Sequence, residues 1–218
     1  MIISLTGFMG SGKTAVGSAL ADMLGCKFID LDAEIARRAG RDIPTIFASG
    51  GEAEFRAMEL ETLRAVLKKK GGDEPSLVLS LGGGTVTVPE ALRLVRDNTL
   101  CIWLRATEDT LRERLGLSFP AASSAPDSAQ DYFSGRCRKN QFSTPSSLRH
   151  PTHAEADPSR PLLTEHAEAD PSRPLLTEDW PELLASREPL YEAASAIAID
   201  IDGLTPDEIA ESLIIDCL

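Results

Sequence analysis

Basic residues are outnumbered in this chain, aromatic ones are few, and no long apolar run occurs. Twenty-two lysines and arginines stand against 34 aspartates and glutamates, for a formal net charge of −12. That balance argues against a nucleic-acid partner, which needs a basic surface to meet the phosphate backbone. The small run Lys68-Lys69-Lys70 reads instead as the solvated last turn of a helix, where the helix dipole favours cations. No segment approaches the roughly 20 apolar residues needed to span a bilayer. Met1 leads directly into an apolar strand rather than a basic leader, so no secretory signal is expected either. The four cysteines, Cys26, Cys101, Cys137 and Cys217, lie far apart without C-x-x-C spacing. They read as reduced thiols of a cytoplasmic protein rather than as a zinc or redox site. At 218 residues the chain suits a single domain, with or without an insertion.

What is present begins almost at once. Gly7-Phe8-Met9-Gly10-Ser11-Gly12-Lys13-Thr14 fits the P-loop pattern G-x-x-x-x-G-K-[ST]. It follows an apolar strand, Ile2-Ile3-Ser4-Leu5, and opens a helix from Thr14 to Met23, the context the pattern requires. Glycines let successive backbone N–H groups turn inward at a helix N-terminus, where the dipole also favours phosphate. Lys13 would reach the β- and γ-phosphates and the Thr14 hydroxyl would ligate Mg²⁺. This stretch binds a nucleoside triphosphate.

Downstream, Lys27-Phe28-Ile29-Asp30 reads as a second strand, with Asp30 and Asp32 forming D-x-D at its end. In an extended segment both carboxylates would face one side, over the P-loop end of the sheet. Asp32 also stands where an N-cap for a helix Ala33–Ala39 belongs. A short helix at Thr45–Ala48, the break Ser49-Gly50-Gly51 and a longer helix from Glu52 to Lys69 come next. Arg56 lies beside the apolar stripe of that helix, with Glu52 and Glu59 close enough to pair with it. A third strand, Ser76–Ser80, runs into Leu81-Gly82-Gly83-Gly84. Three glycines after a strand permit close backbone approach or unusual backbone angles. A helix from Pro89 to Arg96, a strand Thr99–Leu104 and a helix Thr107–Leu115 complete the regular alternation. In the helix Glu182–Ala194, Arg187 sits within the apolar stripe and therefore needs an anion, from the protein or from a substrate. A fifth strand, Ala196–Asp200, and a helix opened by Thr205-Pro206 close the chain.

Between residues 118 and 152 the composition turns to Ser, Pro, Ala and Gln without apolar periodicity, as expected of an irregular insertion. Residues 153–165, HAEADPSRPLLTE, then recur unchanged as 166–178. Two copies of 13 residues do not make a solenoid. The chain is thus expected to be one domain, 1–218, carrying an insertion and duplicated segment over 118–165.

Strands alternating with helices predict a three-layer α/β fold around a parallel sheet. In order, GFMGSGKT, FIDLD, GEAEFR, SLGGG, SRPLL and SREPLY resemble shikimate kinase, over about residues 1–116 and 170–218. The resemblance implies a nucleoside-monophosphate-kinase-like P-loop fold with a five-stranded parallel sheet and a mobile lid. It implies ATP- and Mg²⁺-dependent phosphorylation of the 3-hydroxyl of shikimate, on the route to chorismate and aromatic amino acids. Gly10, Ser11, Gly12, Lys13, Thr14 and Ala15 would wrap the ATP phosphates, and Thr14 and Asp30 would hold the metal. Asp32 would bind the acceptor hydroxyls and take the proton, while Arg56, Gly82, Gly83 and Arg187 would bind shikimate, the arginines clamping its carboxylate. The lid arginine occurs twice, as Arg160 and Arg173; Arg173 is favoured because it runs without interruption into the helix of Arg187. Arg114 resembles the arginine that packs on adenine. A cytoplasmic monomer is expected. The alternatives are a related small-molecule kinase, such as a gluconate kinase, or a non-catalytic nucleotide-binding relative with a disrupted lid.

Overall fold

The computed structural model describes residues 1–68, 75–116, 138–139 and 179–217. Five parallel strands form its centre: β1 (Ile2–Thr6), β2 (Lys27–Asp30), β3 (Leu77–Ser80), β4 (Leu100–Arg105) and β6 (Ile197–Asp200), lying in the order β2-β3-β1-β4-β6. A two-residue strand, β5 (Arg138–Lys139), adds to the β6 edge in the antiparallel sense. This sixth strand was not expected from the sequence. Every residue of β1 and β3 is buried, as helices covering both faces of a parallel sheet require.

The helices are α1 (Lys13–Leu24), α2 (Leu31–Ala39), α3 (Ile43–Leu67), α4 (Pro89–Asn98), α5 (Glu108–Leu115), α6 (Trp180–Ala194) and α7 (Pro206–Asp216). A 3₁₀ turn at Thr85–Thr87 follows the three glycines. The expected break near Gly50-Gly51 is a kink within α3, where Gly51 leaves helical geometry at φ 67° and ψ −169°. Pro181 and Pro206 each stand in the first turn of their helix, where the missing N–H costs nothing. Among the described residues, Cys26 and Cys101 are free thiols. Cys217 is engaged in a disulfide, which corrects the reading of all four cysteines as reduced.

Register places the site. Leu5 of β1 pairs with Ser80 of β3, and Asp30 of β2 pairs with that same Ser80. Three strands therefore end level with one another. The segments leaving them, Gly7–Thr14, Leu31–Asp32 and Gly82–Gly84, are gathered at one edge. The sheet order reverses beside β1, between β3 and β4, and parallel α/β sheets bind ligands at such a point. Among the described residues, no helix is long and apolar enough to cross a membrane.

Candidate active site

The P-loop bends where the pattern has glycine. Gly10 and Gly12 have φ of 83° and 84°, a left-handed geometry that a side chain would strain, and Gly12 is the N-cap of α1. The first-turn N–H groups of α1 have no carbonyl below them and point out of the helix end. Lys13 is buried and donates to the Phe8 carbonyl at 2.8 Å. Burial lowers its pKa to about 8, although the carboxylates of Asp32 and Asp30 oppose that shift.

Asp30 and Asp32 divide the work differently from the sequence reading. Asp30, not Asp32, is the N-cap of α2, its Oδ1 accepting from the Ala33 N–H at 3.1 Å. Helix α2 starts at Leu31, so Asp32 lies in its first turn and the two acids do not share an extended segment. The other Asp30 oxygen, Oδ2, accepts from the Thr14 hydroxyl at 2.7 Å. Asp32, relieved of capping, has a buried Oδ1 that no group among the described residues hydrogen-bonds. Its pKa is pushed up to about 6, first by burial and then by the Asp30 and Glu59 charges, against the pull of Lys13 and Arg56.

The glycines after β3 serve close approach. A Cβ on Gly82 would lie 2.9 Å from Asp32 Oδ1 and 3.0 Å from Glu59 Oε1. One on Gly83 would meet the Met9 amide nitrogen at 3.3 Å, and one on Gly84 would collide with the Arg56 guanidinium at 2.3 Å. None of the three has a positive φ, so space, rather than backbone angle, demands glycine here.

Two guanidiniums flank this segment. Arg56 donates from Nη1 to Glu59 at 2.7 Å and from Nε and Nη2 to Glu52 at 3.2 and 3.1 Å. Arg187 is buried, donates to the Gly83 carbonyl at 3.4 Å and lies 5.8 Å from the centre of the Phe8 ring. Among the described residues no carboxylate pairs with it, so the structural partner that the sequence left open is not supplied there. The Tyr191 hydroxyl donates to the same Gly83 carbonyl at 2.6 Å, and burial raises its pKa to about 12.

Glu59, Thr85 and Tyr191 were not expected as site residues. Glu59 is fully buried and accepts from Thr85 Oγ1 at 2.6 Å as well as from Arg56. Its spacing of three from Arg56 was the available signal. Tyr191 carried another, standing one turn beyond Arg187 on the same stripe. Arg114, on α5, reaches the P-loop: a Cβ on Gly12 would be 3.6 Å from its Nη1, and its Nη2 faces the Leu204 carbonyl at 3.5 Å. Residues 160 and 173, and the expected insertion apart from β5, lie outside the described residues.

The oxygens of Thr14 and Asp30 suit Mg²⁺, a hard cation that keeps several waters and takes phosphate oxygens as further ligands. Among the described residues no cluster of three or more His, Cys, Asp or Glu could hold a metal.

A P-loop at the reversal point of a parallel sheet, facing two acids and two guanidiniums, defines a P-loop kinase acting on a small molecule. The family model for shikimate kinase matches residues 9–126. A curated shikimate kinase of Chlorobium chlorochromatii is 34% identical over 216 residues, 97% of this chain and 90% of that protein. That of Chlorobium limicola is 47% identical over 114 residues, a match spanning about half of each, 52% of this chain and 55% of that protein. Among solved structures, shikimate kinase from Acinetobacter baumannii in complex with shikimate superimposes with a TM-score of 0.68 at 25% identity. That match covers 98% of this chain and 90% of the other. The chain belongs to the shikimate kinase family.

Proposed function

We propose that this chain transfers the γ-phosphoryl group of ATP to the 3-hydroxyl of shikimate, forming shikimate 3-phosphate for aromatic amino acid biosynthesis. The observation that carries the reading is Arg56 and Arg187 flanking Gly83-Gly84, with Arg187 buried and lacking a carboxylate partner among the described residues. A buried guanidinium in that position calls for an anion, and a fork of N–H donors suits a carboxylate. A neutral polyol would leave it unpaired.

Phosphoryl transfer needs positioning and charge neutralisation more than covalent chemistry. Gly10 to Ala15 wrap the phosphates, Lys13 turns from the Phe8 carbonyl to the β/γ oxygens, and Arg114 packs by the adenine. Thr14 and Asp30 would hold Mg²⁺, which when bound neutralises charge on the phosphates. Gly82 and Gly83 let the acceptor approach the backbone. Asp32, on the acceptor side, hydrogen-bonds the attacking hydroxyl and takes its proton. An ionised Asp32 is needed for that, so kcat/KM should fall as pH drops through about 6.

Arg173 is assigned to close over the phosphates, with Arg160 as the second copy. Arg173→Ala is expected to lower kcat far more than Arg160→Ala; equal mild losses would mean that the copies substitute for one another. The enzyme is read as a cytoplasmic monomer. Shikimate-dependent ADP release from ATP and Mg²⁺ tests the reaction itself.

A further inference from the structure

Arg56 holds two carboxylates that differ in how firmly they are fixed. Glu59 is 1% exposed, is anchored a second time by Thr85 and binds Nη1. The Glu52 side chain is 55% exposed, and a single oxygen of it takes both Nε and Nη2. Among the described residues, Glu52 makes no other hydrogen bond or ion pair. Yet Nε and Nη2 form the edge of a guanidinium best suited to grip a carboxylate through two parallel bonds. The Nη2 end of that edge is also the part of Arg56 that lies against Gly84.

Charge counting points the same way. Lys13 faces Asp32 and Asp30 nearby, and the single positive charge of Arg56 already meets two carboxylates, Glu59 and Glu52. An arriving acceptor carboxylate makes three negative charges unless one leaves. Glu59 cannot leave without stranding a buried charge and the Thr85 hydroxyl. Glu52 can swing into water at little cost, since a half-exposed i,i+4 pair is weak.

We propose that Glu52 is an exchangeable counter-ion for Arg56, holding the carboxylate-binding edge in the unliganded protein and displaced by the acceptor's carboxylate. Glu52 thus competes with shikimate rather than binding it. This rests on the reading of Arg56 as part of the acceptor site. The competition keeps the guanidinium fixed and paired between turnovers, and it weakens the hold on any small anion that cannot also reach Arg187.

Glu52→Gln tests it, since the amide keeps the size but not the charge. Shikimate binding to the full chain, followed by calorimetry, should tighten about two- to fivefold, the range a weak pair commands. KM should fall in step while kcat stays close to wild type. Methyl shikimate, which lacks the carboxylate charge, should bind both proteins equally. Weaker or unchanged shikimate binding to Glu52→Gln would overturn the proposal, because Glu52 would then position Arg56 or play no part. Glu52→Ala, measured beside it, should move in the same direction; a loss of binding there would also count against it. If wild-type protein binds no shikimate, the acceptor assignment itself has failed, an outcome distinct from the others.

Discussion

Replacing Asp32 by asparagine is expected to abolish most turnover and yet make the protein harder to unfold. Loss of a positioned general base costs about 10²- to 10⁴-fold in kcat. The stability gain follows from the same environment. The folded protein raises the Asp32 pKa from 3.8 to about 6, so it is the ionised form that folding disfavours. The cost is fully present above pH 6 and vanishes below about pH 4, where folded and unfolded chains both carry the proton. At 1.36 kcal/mol per unit the shift corresponds to at most about 3 kcal/mol, less whatever water screens. Thermal melts should therefore place Asp32→Asn above wild type at pH 7.5, with the two converging as pH falls to 4. A variant that melts lower at pH 7.5 would mean that the carboxylate is satisfied by partners in the fold. Such trade-offs are usual where a site is built for chemistry rather than for rest.

Arg187→Met carries the second large effect. Methionine retains an unbranched stem to fill the space by Phe8 and Tyr191 but removes the charge. If the guanidinium serves the acceptor's carboxylate, KM for shikimate should rise about 10- to 100-fold, the worth of charged hydrogen bonds in a buried site. The change in kcat should be smaller. Stability should hold or improve, because a buried cation that no carboxylate pairs with among the described residues is costly. Unchanged KM with a collapsed melting temperature would instead make Arg187 a structural residue whose business is the Gly83 carbonyl.

Much of this site was legible because it depends on local rules. The P-loop declares itself through glycine spacing between a strand and a helix, and Gly10 and Gly12 take the left-handed angles that spacing implies. Arg187 stood out as a charge on an apolar stripe. The roles of Asp30 and Asp32 were harder, since either acid could cap α2 and only the true helix start, at Leu31, decides between them. Three glycines signalled crowding without saying what does the crowding. The answer, Asp32 from α2 with Glu59 and Arg56 from α3, comes from two helices that meet the segment leaving β3. Glu59 read only as an acid within reach of Arg56; its burial and its bond to Thr85, 26 residues away, had no such signal. Long-range placement of that kind leaves no local periodicity to read.

Nucleotide chemistry in this protein is tied to a carboxylate-bearing acceptor. ADP release by the purified full chain, with ATP and Mg²⁺ and with or without shikimate, measures it most directly. ADP is expected only when shikimate is present, one for each shikimate 3-phosphate formed. ADP release that ignores shikimate, or that gluconate supports equally well, would contradict it.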